Sequence, residues 1–303
     1  MKNISISFRT MARAMRMLLL YCCCLWLLLF PGMVKSETAP IQASRYTVAV
    51  IPFYSPEKIW LLYTPFIHYL KSSTGLPWEL KLYPDHNSLI EDLCGDKVGV
   101  ALLGPVPLGR ADLKCGARPV LVALSKDGSP TYHSLIITSD PTVATLGNVR
   151  GKKFGFFKGS TAAHIVPIKM LQAAGLGAGD FQPLFFESQD RIMTVLLTRE
   201  ISAAGVKETL YRKFKNEPLR VLMTSDALPN FAFCASPSLS SEVRERFISA
   251  LTRLKPLTSD SDAETAKTWD DEIKNGFMPP NEAFLGSIRE LNNVYREVMH
   301  ESR

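Results

Sequence analysis

From Tyr46 onward the chain alternates short β-branched runs with stretches of helical period, and near Asp140 that rhythm starts again. Strands alternating with helices fold into doubly wound, parallel α/β layers, because each helix carries the chain back across its sheet. Two successive runs predict two such lobes. Tyr46 to Phe53 (YTVAVIPF) reads as a buried strand. Ser55-Pro56-Glu57 then supplies a capping hydroxyl, a proline at the first helical position and a first-turn acid. Ile59, Leu62, Phe66 and Leu70 continue that helix to Gly75, with a kink or restart expected at Pro65. Further strands are expected over 79–83, 98–103, 119–124 and 132–138, and in the second run over 153–157, 183–186, 202–206 and 220–223. After 231–235 the chain is helical, with helices expected over 240–254, 262–273 and from 281 to the end. This tail has no sheet of its own and is expected to pack back on the first lobe. The layout is then a discontinuous first lobe, 45–138 plus 228–303, and an inserted second lobe, 139–227, joined by two hinge crossings. Ligands of such folds sit in the crevice where strand ends meet helix starts.

The first 36 residues stand apart from this pattern. Lys2, Arg9, Arg13 and Arg16 precede an unbroken apolar run from Met17 to Phe30, followed by Pro31, Gly32 and small residues ending at Ser36. That is the layout of a secretory signal peptide over 1–36. The run has 14 residues, short of the roughly 18 to 20 that a spanning helix needs. An uncleaved membrane anchor is the alternative. Five of the 35 basic residues and none of the 29 acidic ones lie in this segment, leaving 30 against 29 in the remainder. The basicity is therefore a targeting feature, and nucleic acid is not an expected partner.

Three cysteines follow the segment. Cys94 and Cys115 each precede a predicted strand, 21 positions apart; an oxidising compartment would allow them to pair, and free thiols are the alternative. Cys234 lies in the apolar run 231–235 and reads as a buried thiol. No metal spacing, nucleophile elbow, Walker loop or His-Glu-x-x-His motif is present, so neither an enzyme nor a metal or cofactor is expected. The five histidines are scattered, and His164 reads as a plain helix-face residue.

The sharpest local signal is FGFFKGSTAAH, residues 154–164. A strand ends, a glycine permits a tight turn, and Ser160 and Thr161 open a helix whose first-turn N–H groups and positive dipole end suit an oxyanion. Hydroxyls at a helix start are also ordinary caps. Together with VAVIPFYSPEK (49–58), PFIHYLKSSTG (65–75), VGVALLGPVPLGRA (98–111), YHSLIIT (132–138), ESQDRIMTVLLTREISAAGV (187–206) and LPN (228–230), this stretch resembles the phosphate, phosphite and phosphonate binding proteins of ABC importers. The resemblance covers nearly all of 46–235. It implies the type II periplasmic-binding-protein fold, a small phosphonate-like anion in the inter-lobe cleft, and an ABC permease in the inner membrane as partner. It further implies a periplasmic, monomeric protein without a cofactor. A same-fold binder of another small anion, acting as a sensor or accessory protein, is the alternative.

Carried over residue by residue, the resemblance places the oxyanion on Ser160, Thr161, Ala162 and Ala163. Where the family continues with Ser-Gly, this chain has the two alanines, which keep the backbone donors and lose a hydroxyl. Gln189 stands where the family tends to place a histidine; it can donate but cannot become a cation. Tyr54 and the turn at Gly104 face the crevice from the first lobe, and Tyr132 lies where the chain nears the hinge. Lys207 and Glu208, at a strand end, read as a solvated pair.

Overall fold

A computed structural model describes residues 46–51 and 53–301. The expected signal peptide lies outside the described residues. Among those residues no helix is long and apolar enough to cross a membrane.

The chain builds two mixed sheets and a short connecting ribbon. In chain order the strands are β1 (Thr47–Val50), β2 (Glu79–Leu82), β3 (Val100–Leu103), β4 (Arg118–Ala123), β5 (Thr131–Tyr132), β6 (Ser134–Thr138), β7 (Lys153–Phe157), β8 (Gln182–Phe186), β9 (Ala203–Lys207), β10 (Arg220–Thr224), β11 (Leu228–Pro229), β12 (Ala232–Ala235) and β13 (Phe277–Met278). The first sheet has the order β13-β4-β12-β3-β1-β2 and the second β10-β6-β9-β7-β8. Strands β1, β2 and β3 run parallel, as do β7, β8 and β9. Departing from the parallel expectation, β12 enters the first sheet antiparallel to both neighbours, and β6 and β10 are antiparallel in the second. The reason is topological: a chain that leaves one sheet for the other and later returns re-enters from the far end.

The crossings themselves pair. β5 and β11 form a two-stranded antiparallel ribbon between the sheets, with Tyr132 opposite Leu228. Ser134–Thr138, assigned above to the first lobe, hydrogen-bonds within the second sheet. The chain therefore crosses before residue 134, several positions earlier than expected, because the single strand expected over 132–138 is split at His133 between the ribbon and the second sheet. The C-terminal helix Glu282–Glu301 packs on Pro105–Cys115 of the first lobe and on Val166–Ala173 of the second, so the tail spans both lobes.

Burial explains the local choices. β1, β3 and β12 are buried along their whole length, as continuous apolar runs demand. Phe233 of β12 stacks on Phe66 and meets Phe247 edge-on, tying helices on one face of the sheet to its centre. The helix Pro56–Thr74 starts at Ser55, whose side chain accepts from the Lys58 N–H, and ends at left-handed Gly75. It runs without interruption through Pro65. The carbonyl that the proline leaves unpaired belongs to Leu61, on the exposed face, where water can take it. The helix expected over 262–273 ends at Ala266. Residues Asp270 to Glu272 then form turns that carry carboxylates inward, Asp270 and Glu272 both being buried.

Cys94 and Cys115 are joined in a disulfide, with Cα atoms 5.6 Å apart, and Cys234 is a buried free thiol. The bond ties the ends of two first-lobe helices. Closing a loop of this length constrains the unfolded chain by about 3 kcal/mol. Cys94→Ala together with Cys115→Ala is therefore expected to lower the free energy of unfolding by about 3 kcal/mol in a urea titration, and unchanged stability would contradict that role.

Candidate functional site

The crevice between the sheets is lined by the ends of β1, β3, β7 and β9 and by the connecting ribbon. Gly159 has a left-handed backbone (φ 80°) that turns the chain out of β7. A side chain there would also press on His86 of the first lobe, 3.2 Å from where its Cβ would sit. Ser160 caps the helix that follows, its Oγ accepting from the Ala163 N–H at 3.2 Å. The first turn, Thr161–Ile165, is a π-helix opened by a bond from the Ile165 N–H to the Ser160 carbonyl. Such wide turns recur at functional sites because they reposition side chains and free backbone groups. The N–H groups of Thr161 and Ala162 lie ahead of that first bond and point with the positive end of the helix.

Across the crevice, Gly104 begins the helix Pro105–Cys115. A Cβ on it would sit 2.8 Å from the Phe231 ring and 3.5 Å from Thr161 Oγ1, so only glycine allows this approach. Thr161 Oγ1 accepts from the Val106 N–H at 2.9 Å, a bond from one lobe to the other. Phe231 stacks on Phe53 and meets Tyr132 edge-on. Tyr132 is buried, with the Thr161 hydroxyl beside it, yet its own hydroxyl lacks a well-formed hydrogen bond among the described residues. Burial first, and the Glu272 charge second, raise its pKa, so the hydroxyl stays a proton donor.

Lys207 corrects the sequence reading. It is buried, 2 % exposed, rather than half of a solvated pair with Glu208. Its Nζ donates to Asn230 Oδ1 at 2.9 Å and forms a short bond with Glu272 Oε2. It also lies 3.8 Å from the centre of the Phe231 ring and 4.2 Å from that of Tyr132. Desolvation lowers its pKa, opposed by the charge and hydrogen bond of Glu272. Glu272 accepts in turn from Thr209 Oγ1 at 2.7 Å. Glu208 pairs instead with Arg212 and accepts from the His133 N–H. Gln189 stands in the wall, its Oε1 accepting from the Lys207 N–H at 3.3 Å, so it orients the strand end as much as it faces the crevice.

Tyr54 closes the same side. Its hydroxyl accepts from Lys213, and its ring carries the Lys58 ammonium 3.9 Å from its centre. Lys58 reaches over to Asp190 (3.1 Å) and Lys213 to Asp271 (2.9 Å), each pair spanning the two lobes. The eight residues singled out above thus divide. Ser160–Ala163, Gly104 and Tyr132 meet at the helix start, Gln189 stands in the wall, and Tyr54 is held at the rim by two lysines. Lys207, Asn230, Phe231 and Glu272 were missed. A lysine at the end of the all-apolar strand AAGVK was the available signal.

His86 contributes from the first lobe, its ring 5.6 Å from that of Phe157 and neither nitrogen hydrogen-bonded among the described residues. Burial lowers its pKa to about 3, with Arg110 adding to the shift. The folded state therefore binds fewer protons than the unfolded one below pH about 6.5, and stability falls as pH drops through that range. Asp270, raised to about 6 by burial and by Glu272, works in the opposite sense. A His86→Leu variant should accordingly lose about 2 kcal/mol less than the parent between pH 7 and pH 5 in urea unfolding. Parallel losses would show that His86 is not buried and neutral.

Residues 48–283 match the family model described as "ABC transporter, phosphonate, periplasmic substrate-binding protein". The chain belongs to this family. It is a family of transport substrate-binding proteins, not of enzymes, and the two-lobed type II fold goes with it. Among solved structures, the binding protein component of an ABC phosphonate transporter from Pseudomonas aeruginosa is similar at TM-score 0.74 and 18% identity, with 84% of this chain and 88% of that one covered. PhnD1 from Prochlorococcus marinus, in complex with methylphosphonate, gives 0.70 and 12%, covering 83% and 97%. The alkanesulfonate-binding protein SsuA from Xanthomonas axonopodis, bound to MOPS, gives 0.62 and 15%, covering 84% and 93%. At these identities the likeness shows the fold.

Proposed function

We propose that this binding protein is exported to the periplasm, captures a small phosphorus oxyanion between its lobes, and delivers it as a monomer to an ABC permease. The observation that carries the reading is the buried Tyr132 hydroxyl, without a well-formed partner, beside Thr161 at a helix start whose first N–H groups are uncommitted. Those donors converge from the hinge ribbon and the second lobe, and an anion with several oxygens would engage them together. The family and the methylphosphonate complex of PhnD1 support phosphonate as the ligand class. Entry requires the lobes to part, which breaks the Val106–Thr161 bond and the pairs Lys58–Asp190, Lys213–Asp271 and Lys207–Glu272. Ligand then favours closure only through what it adds across the cleft.

A thermal-shift panel on the purified protein tests this with phosphate, phosphite, methylphosphonate, aminoethylphosphonate and sulfate. A ligand at a hundred times its dissociation constant adds about 2.7 kcal/mol, which raises Tm by roughly 5 to 10 °C for a chain of this size. A rise with one or more phosphorus oxyanions and none with sulfate is expected. A rise with sulfate alone would assign the site to another anion.

A further inference from the structure

We infer that the second lobe carries a separate site for an apolar monocarboxylate, a molecule of fatty-acid type, beside the turn that follows β7. A cavity of about 610 Å3 opens there, a size that suits a small ligand. The rings of Phe156, Phe181 and Phe185 form one wall, Ile168 and Leu176 a second, and Met299 of the C-terminal helix contributes a third. Phe156 stands 6.0 Å from Phe181 and 5.8 Å from Phe185 between ring centres. Phe185 is 50 % exposed. An aromatic ring left half open on the wall of a cavity is apolar surface that a ligand would cover. With walls from β7, β8 and two helices, the cavity takes a free molecule and not a flat partner surface.

His164 and Lys158 give this cavity a polar corner. His164, expected on a plain helix face, is 6 % exposed in the π-turn and lines the cavity. Its Nδ1 accepts from the Gly159 N–H at 3.1 Å. Burial, with the Lys158 charge adding to it, lowers its pKa to about 4. The ring is therefore neutral at pH 7, and its one proton sits on Nε2. That N–H has no hydrogen-bond acceptor among the described residues. Phe156 and Phe185 stand near edge-on to the imidazole, 5.6 and 5.2 Å between centres, and an aromatic ring accepts only weakly. Lys158 is the only charged residue of the lining. A donor of fixed tautomer near an ammonium, at the edge of an aromatic pocket, selects a carboxylate on an apolar body. The carboxylate takes the His164 N–H and faces Lys158, while the chain covers Phe185. An alcohol can accept the N–H but gains nothing from the charge, and a cationic head meets Lys158 as a like charge. The site shares no residue with the Ser160–Ala163 turn: Thr161 is turned to Val106 of the first lobe and His164 to this cavity.

The test is calorimetric titration of the purified, delipidated protein with decanoate, decanol, decyltrimethylammonium and acetate. Decanoate is expected to bind with one equivalent and roughly tenfold more tightly than decanol, one charge-assisted hydrogen bond and one wet charge contact being added. Decyltrimethylammonium should bind more weakly than decanol, and acetate, which has no apolar body, should give no saturable heat. Lys158 is exposed, so Lys158→Ala should weaken decanoate by roughly threefold and leave decanol unchanged. Phe185→Ser opens the wall at a half-exposed position and should weaken decanoate and decanol by roughly tenfold each. Methylphosphonate should titrate in the Phe185→Ser protein as in the parent, which keeps the two sites distinguishable. No binding of decanoate, equal affinity for decanoate and decyltrimethylammonium, or decanoate binding that survives Phe185→Ser unchanged would overturn the carboxylate site and leave the oxyanion site standing.

Discussion

Alanine at both Ser160 and Thr161 is expected to weaken binding of methylphosphonate by roughly 3 to 6 kcal/mol, two charge-assisted hydrogen bonds at about 1.5 to 3 kcal/mol each. That is a loss of at least a hundredfold, readable by calorimetry. The uncommitted backbone donors of Thr161 and Ala162 remain; two hydroxyls disappear, and with Ser160 Oγ goes the cap to which the Ala163 N–H donates, at a cost of about 1 kcal/mol to the helix. Ser160 uses its Oγ lone pairs for the Ala163 N–H, which leaves its proton free to donate outward. Thr161 accepts from the Val106 N–H and keeps its proton likewise. Because the Thr161 bond also joins the lobes, Thr161→Ala should loosen closure, while Ser160→Ala alone should weaken binding without that effect. A double variant that binds as tightly as the parent would show that the ligand lies elsewhere.

The second large effect concerns the buried pair. Glu272→Ala leaves the Lys207 ammonium without its counter-charge inside the crevice, a change that costs roughly 3 to 5 kcal/mol in comparable buried pairs. Adding Lys207→Met removes the stranded charge and should recover most of that loss, since an apolar side chain fits between Phe231 and Tyr132. The partners sit on different lobes, so the single variant has one escape, which is to open and hydrate Lys207. Urea unfolding and small-angle scattering therefore belong together here. A Glu272→Ala protein with the parent's stability and the parent's dimensions would contradict the pair as an inter-lobe lock.

Much of this was legible in the chain because the signals are local. β1 and β3 are unbroken apolar runs, Ser55-Pro56 starts a helix, and Gly159-Ser160-Thr161 turns a strand into a helix, each within a few residues. The crossing near residue 133 was misplaced because Tyr132 to Thr138 (YHSLIIT) reads as one strand, and only pairing with distant strands divides it between the ribbon and the second sheet. The direction of β12 depends on the return crossing, which no local pattern encodes. Lys207 was missed for the same physical reason. Its burial depends on Glu272, 65 positions away, and on Asn230, 23 positions away. A lysine next to a glutamate at a strand end looks like solvent-facing charge until the other lobe is brought against it.

The most direct test of the oxyanion site is a titration of the purified, isotope-labelled protein with methylphosphonate, followed through the backbone amide resonances of residues 160–163. An anion held by these donors shifts the Thr161 and Ala162 amide protons downfield in a saturable manner, and more than amides at the far ends of either sheet. Saturable downfield movement confined to this turn and its neighbours across the cleft is the predicted result. Binding that leaves these amides unmoved, or no binding at all by ligand-free folded protein, would contradict it.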